Sequence, residues 1–291
     1  MKYMKKLSLI SLIFYFSTCS FSYAIDLTIY EGDEYWEKTN SLNWIDGPAT
    51  VKHLDQGFIQ INENQSALTG EDARQMMYWI NGVQYNIDVF VQDLEFGGYT
   101  DYTFDKSGYV KLDDWKDIDP DKFLKELKSG TEEGNKLREE KGFNTITNIV
   151  WLREPTLNKE KNTVSYATNV SFSDGHDSIN AALLILGRYG YAESTVVATY
   201  ENFELYGDMM LNSVISNYSF VQEKKYSNFT TGDKVAAAGI AGLLAGSLGI
   251  KAFKAGGFAA LLILMKKFWF VLLFPIIFVW GFIKRLFLRN N

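Results

Sequence analysis

The stretch VSYATNVSFSDGHDSINAALLILGRYGYAESTVVATY, residues 164–200, decides the fold. Val164, Tyr166, Val170 and Phe172 alternate with polar residues, the period of a half-buried strand. Ile179 to Leu186 is a continuous apolar run suited to a buried strand, and Gly187 to Gly190 turns it into a further strand, Ser194 to Tyr200. Next, Phe203, Tyr206, Met210 and Val214 mark a helix face, and Tyr218 to Val221 a last short strand. Several strands followed by a helix, with no strand–helix alternation, argue for an antiparallel layer rather than a doubly wound sheet.

Upstream, Thr145 to Leu152 reads as a strand. Asp119 caps a helix with Pro120 in its first position, Phe123, Leu124 and Leu127 form its apolar face, and Gly130 weakens it. Phe58 to Asn62 and Tyr85 to Leu94 read as strands. Between them Thr69 is placed to cap a helix, with Asp72 at the capping-box position and Ala73, Met76, Met77 and Ile80 on one face. The polar stretch Gly97 to Ser107 is the expected internal boundary, dividing the body into residues 25–106 and 107–230. The expected class is α+β: antiparallel sheet or sheets with helices packed on one face, followed by a C-terminal α-helical membrane anchor. The order helix–four strands–helix–strand is similar to the PsbP-type fold, a likeness of topology that implies no function.

The two ends read as address labels. Lys2, Lys5 and Lys6 precede a short apolar run, Leu7 to Phe16, and Ser22-Tyr23-Ala24 offers small residues for cleavage, so residues 1–24 read as a signal peptide. Cys19 is the only cysteine and lies within it; Thr18 stands where a lipobox has Gly, Ala or Ser. With the leader removed, disulfides, thiolate metal sites and cysteine nucleophiles are excluded. Residues 231–291 form the tail. Phe268 to Ile283 carries no charge, is flanked by Lys266-Lys267 and Lys284-Arg285, and bears Trp269 and Trp280 near its ends, as interfacial tryptophans do. At about 24 Å of helix it is slightly short for a bilayer, and the basic flanks can extend it. Val235 to Ile250 is different: Gly239, Gly242, Gly246 and Gly249 lie among alanines and leucines, and small residues four apart let helices approach closely in a membrane. The expectation is a helix in or partly through the bilayer, packed on another.

Charge divides sharply. Ile25 to Thr230 holds 18 basic and 34 acidic residues, whereas residues 231–291 hold 8 basic and one acidic, Asp233. An acidic body excludes nucleic acid as a partner. A basic tail suits anionic headgroups and a cytoplasmic C-terminus. The expected location is a bacterial inner membrane with the body in the periplasm. The expected partners are the bilayer, through the anchor, and an envelope protein or a second copy.

Chemistry is sparsely signalled. His176 in Asp174-Gly175-His176-Asp177 invites a general-base reading beside a carboxylate, against the plainer one of a polar hairpin tip. His53 stands alone, with no metal spacing around it. Arg188 at a strand end suits a carboxylate or phosphate, or a turn and a surface acid. The Asn135…Arg138 pair is distinctive without an assigned role. Asp117-Ile118-Asp119-Pro120-Asp121 imitates a calcium loop, but Lys122 and Lys128 occupy the positions of its Gly and Glu, so the acids are expected to serve the helix start. No G-x-S-x-G, P-loop or G-x-G-x-x-G occurs, and no cofactor is expected. The tryptophans, Trp36, Trp44, Trp79, Trp115 and Trp151 in the body, suit core packing or an aromatic cleft.

Trp44 with Gly47-Pro48, Gly108-Tyr109-Val110-Lys111 through Asp119, Asn135, Arg138, Gly142, Trp151, Pro155, Leu186-Gly187-Arg188 and Gly190 together resemble the bacterial family called domain of unknown function 2167. The most specific segment is Tyr226…Phe229…Gly232-Asp233-Lys234-Val235-Ala236-Ala237; Ala238 departs from the aromatic expected before Gly239. The resemblance implies a membrane-anchored envelope protein with a leader–body–anchor plan and transfers no catalytic residue. The leading reading is a binding or structural module. The alternatives are an envelope hydrolase or transferase using Asp174, His176 and Asp177, or an accessory of transport or membrane remodelling.

Overall fold

The computed structural model describes residues 33–81, 86–140 and 144–247. The leader and the apolar span at 268–283 lie outside them. Among the described residues no helix is long and apolar enough to cross a membrane.

The chain opens with α1 (Asp33–Asn40), β1 (Ile45–Asp46), β2 (Ala49–His53), β3 (Gly57–Ile61), β4 (Gln65–Thr69), α2 (Gly70–Asn81), β5 (Val89–Asp93) and β6 (Tyr99–Asp105). It continues with α3 (Pro120–Glu140), β7 (Ile146–Asn158), β8 (Thr163–Phe172), β9 (Asp177–Leu186), β10 (Tyr191–Ala198), α4 (Tyr200–Asn217), β11 (Tyr218–Phe220) and α5 (Ile240–Ser247). Eight strands form one antiparallel sheet in the order β1-β4-β5-β6-β10-β9-β8-β7, and β11-β3-β2 form a second, smaller one.

The α+β class and the antiparallel sheet match the expectation. Helices on one face do not. Ile179, Ala181, Leu183 and Ile185 of β9 pack with Phe203, Met210, Leu211 and Val214 of α4 and with the small sheet. Ala182, Leu184 and Leu186 point the other way, into a core with Phe123 and Leu127 of α3. Farther along that face α2 packs Ala73, Met76, Met77 and Ile80 on Leu68, Phe90 and Tyr99. The reason lies in the sequence: an uninterrupted apolar strand has no face for water, so both sides need cover.

The expected boundary at Gly97–Ser107 is instead a strand. β6 pairs with β5 on one side and β10 on the other, so the proposed halves share one continuous sheet. Polar composition hid it, because Asp101 and Thr103 sit where a buried strand ordinarily carries apolar residues.

Helix starts divide. Asp119 caps α3 as expected, its Oδ1 accepting from the Lys122 amide at 3.0 Å. Thr69, by contrast, stays in β4, paired with Val89. Asp72 accepts from the backbone and side-chain nitrogens of Asn43, holding the preceding loop. Gly130 does not end α3. Its surroundings are open, and the helix continues because Asn135 and Arg138 fasten the far end to the start of β7. Asn135 gives and takes one hydrogen bond with the backbone of Ile146, at 2.7 and 2.8 Å. Arg138 donates to the Asn144 carbonyl and lies over the Phe172 ring. Trp151 completes the seam by donating to the Pro120 carbonyl at 3.0 Å.

Candidate functional site

The expected catalytic cluster is a hairpin tip. Asp174 to His176 turn β8 into β9, with Gly175 at φ +90°, a conformation glycine adopts without strain. His176 pairs through Nδ1 with Asp174, and its ring stacks on Phe172 with centroids 4.6 Å apart. The other Asp174 oxygen accepts from Asn144 at 2.7 Å, and Asp177 turns to Asn169 at 3.2 Å. These bonds hold the turn and tie it to Asn144 before β7, while His176 Nε2 has no partner among the described residues. Arg188 lies at the opposite end of the ten-residue β9, roughly 30 Å away. The structure therefore separates His176 from Arg188. Among the described residues no group of three or more His, Cys, Asp or Glu is placed to hold a metal ion. A narrow crevice beside α4, lined in part by Gln60, Gln65, Asp93, Tyr99, Ser213 and Asn217, includes neither residue.

Arg188 grips the chain's own tail. Its Nε and one terminal nitrogen reach the two oxygens of Asp233 at 2.7 and 2.9 Å, a bidentate fork. The same terminal nitrogen donates to the Thr230 hydroxyl at 2.8 Å, and the Thr230 amide donates to Asp233 at 2.8 Å. The pair is well covered, with 18% and 11% of the two side chains exposed. The turn carrying Arg188 is held in place as well: its amide donates to the Lys224 carbonyl, and Gly187 bridges Lys225. The guanidinium lowers the Asp233 pKa to about 2. A depressed carboxylate stabilises the fold above the ordinary carboxylate range, and that contribution fades as pH falls from about 4 toward 2. Arg188→Ala is expected to lower the melting temperature and open the Thr230–Val235 segment to protease. Arg188→Lys should restore only part, since an ammonium cannot form the fork. Equal protease resistance in all three proteins would refute the clamp.

Past Asp233 the chain enters the body. Lys234 to Ala236 lie beside Gly108 to Val110 as a short parallel pair: the Tyr109 amide donates to the Lys234 carbonyl, and the Ala236 amide to the Tyr109 carbonyl. Gly108, at φ +106°, allows this approach, because a Cβ there would sit 2.5 Å from the Lys234 carbonyl oxygen. The Tyr109 ring stacks with Tyr226 and Phe229 at 4.4 and 4.1 Å, and the Tyr226 hydroxyl donates to the Val110 carbonyl at 2.6 Å. Then α5 begins. The Ile240 amide donates to the Lys111 carbonyl, and Asp114 accepts from the Ala241 amide at 3.3 Å.

This corrects the reading of the small-residue segment. Ile240 and Leu244 are fully buried in the α3 core, beside Val110, Phe123 and Leu186. The first two turns are therefore packed on the body, and the body does not end at Thr230. Gly239 makes room for the Asp114 carboxylate at the helix start, and Gly242 faces Ala238. Both serve contacts within the chain. Gly246 lies in α5, and Gly249 is outside the described residues.

Two buried polar arrangements were not read from the sequence. His53 does not stand alone. It is wholly buried, with Nδ1 3.0 Å from the Tyr218 hydroxyl and Nε2 3.0 Å from Asp88. Asp88 also accepts from the Phe104 amide, and the imidazole meets Tyr102, Phe104 and Tyr218 edge-on. This network joins the small sheet to the large one. The available signal was the alternation Val51, His53, which puts the imidazole on the buried face of β2. The second arrangement is the acid Asp101, buried in the middle of the large sheet.

No curated protein matches the sequence. Solved structures similar to the chain include cyanobacterial PsbP (CyanoP) from Synechocystis, at 10% identity and TM-score 0.34, covering 62% of this chain and 92% of that one. Another is the Ran-binding protein Mog1p of Saccharomyces cerevisiae, at 10% identity and TM-score 0.23, covering 65% and 98%. The sequence gives a closer match: the chain belongs to the family described as "Protein of unknown function (DUF2167)", which matches residues 46–277.

Proposed function

We propose that this chain is a membrane-anchored bacterial envelope protein whose α+β body is a binding or structural module held on the periplasmic side. The observation carrying the reading is the docking of residues 230–247 into the body. The clamp Arg188–Asp233, the Tyr109–Val235 pair and the buried Ile240 and Leu244 fix the segment that leads directly into the apolar, basic tail. A flexible tether would serve to keep a domain near a bilayer. A segment built into the core instead fixes the place where the tail leaves the body, at the end of α5. The body's acidic surface would be repelled by anionic headgroups, favouring an attitude that turns most of the body away from the lipid.

Fractionation tests this reading. The full chain should stay in the membrane pellet after alkaline carbonate washing. Its body should resist protease in intact cells and be cut once the outer membrane is opened. A reporter fused after Asn291 should be active only in the cytoplasm. Recovery of the protein in the carbonate supernatant, or a periplasm-active C-terminal reporter, would overturn the proposal.

A further inference from the structure

Asp101 sits in β6 directly opposite Thr195 of β10, and Glu193 lies on the same face one diagonal step away. Diagonal neighbours on one face lie about 7–8 Å apart at Cα, within reach of a glutamate side chain. Asp101 is completely buried and Glu193 is 8% exposed. Among the described residues neither Asp101 carboxyl oxygen has a hydrogen-bond partner beyond the weak approach of the Thr195 amide, and the buried Thr195 hydroxyl beside it has none. Among the described residues no cation acts on Asp101, and Arg74 of α2 is turned to Glu71. β5 places Phe90 next to Asp101, and β9 contributes Ala182 and Asn180 in the following rows. α2 presents Ala73, Met76, Met77 and Ile80. Tyr99 shares the strand and face, and Tyr102 is on the reverse face. Among the described residues Glu193 is the one charged neighbour acting on Asp101.

An ionised carboxylate so placed would be an unpaired buried charge next to a like charge, an arrangement a fold does not tolerate. Charge can be removed there by a metal cation or by a proton. A metal needs several ligands and a path inward, and among the described residues no group of three or more His, Cys, Asp or Glu is placed to hold one. A proton needs neither.

We propose that Asp101 is a proton-binding site: at neutral pH the folded protein holds it as a neutral carboxylic acid in the seam between β6 and β10. Burial first, and the Glu193 charge second, push its pKa well above the usual carboxylate range; the Thr195 amide opposes weakly. A raised carboxyl pKa means the folded state carries a proton the unfolded chain lacks, so stability is greatest near pH 4 and falls as pH rises toward the folded pKa. The bound proton thus makes the centre of the sheet favour mildly acidic surroundings. This is the opposite of Asp55 and Asp233, whose pKa values are lowered to about 2 by Lys224 and Arg188 and which lose their contribution below about pH 4.

The test uses the full chain in detergent micelles. Infrared difference spectra of the native protein at pH 7 should contain a protonated-carboxyl carbonyl band, absent in Asp101→Asn. In equilibrium unfolding, the unfolding constant of the native protein relative to Asp101→Asn should rise up to about tenfold per pH unit above pH 4, then level off. Glu193→Gln should move the levelling to lower pH, a shift that a merely structural role would not produce. If Asp101→Asn fails to fold, the pH titration of the band in the native protein and in Glu193→Gln still decides. A missing band at pH 7 overturns the proposal, as do parallel stability curves, or calcium or magnesium stabilising the native protein but not Asp101→Asn.

Discussion

A chain that stops at Thr230 is expected to be less stable, by about 5 kcal/mol, than one with the same start that stops at Ser247. The shorter chain loses the partner of Arg188, the short parallel pair at Tyr109 and the whole of α5. Ile240 and Leu244 are both completely buried, and full burial of such side chains contributes about 1.5–3 kcal/mol each. The polar contacts of Lys111 and Asp114 with the helix start add to this. A loss of this size is comparable to the entire stability of many domains, about 5–15 kcal/mol. Urea unfolding followed by tryptophan fluorescence would measure it. Coincident unfolding curves would mean that the tail is only appended.

The second large effect is expected at His53. His53→Phe keeps an aromatic ring in the slot but leaves the Tyr218 hydroxyl and one side of Asp88 without the imidazole. The orphaned Tyr218 hydroxyl costs about 1–3 kcal/mol and the lost bond to Asp88, which keeps the Phe104 amide, about 1 kcal/mol, so a loss of about 3 kcal/mol is expected. Tyr218→Phe should cost about 1 kcal/mol, since Asp88 remains served by His53 and the Phe104 amide. The two changes touch one network, so the double variant should lose less than the sum. Strict additivity in a double-mutant cycle would show that the imidazole and the phenol do not act together.

Much of the sheet is legible in the sequence. The β8–β10 strands show strong alternation or an unbroken apolar run between glycine-bearing turns, and α3 announces itself by Asp119-Pro120. What escaped reading has a common cause. β6 carries Asp101 in a buried position and Thr103 in a half-buried one, so polarity imitates a loop, and the division at residue 106 cuts through the sheet. β2 and β4 are five residues each and place Lys52, His53, Gln65 and Ser66 among few apolar residues, so their alternation is weak. α5 is built from glycine, alanine and leucine, a composition that suits a membrane helix and a docked core helix equally. Only the long-range contacts of Ile240 and Leu244 separate the two. The site was less legible still. His176 and Arg188 stand out as residue types, yet one sits in a turn and the other binds Asp233. The partners of His53 lie 35 and 165 residues away along the chain, a distance no local pattern reports.

These assignments converge on the junction between body and tail. Gly108-Tyr109-Val110 and Gly232 to Ala237, which carry much of the family resemblance in the sequence, meet side by side in the structure. A chemical site would gather such residues around a cavity, whereas here they form the joint on which the tail is mounted. Hydrogen exchange on the full chain tests that joint most directly. The amides of Tyr109, Ala236, Ile240 and Leu243 each donate to a backbone carbonyl within it. The prediction is that they exchange as slowly as those of β9 and β10, through opening of the whole body. Exchange of Ala236, Ile240 and Leu243 at the rate of an exposed loop, with β9 and β10 still protected, would contradict it.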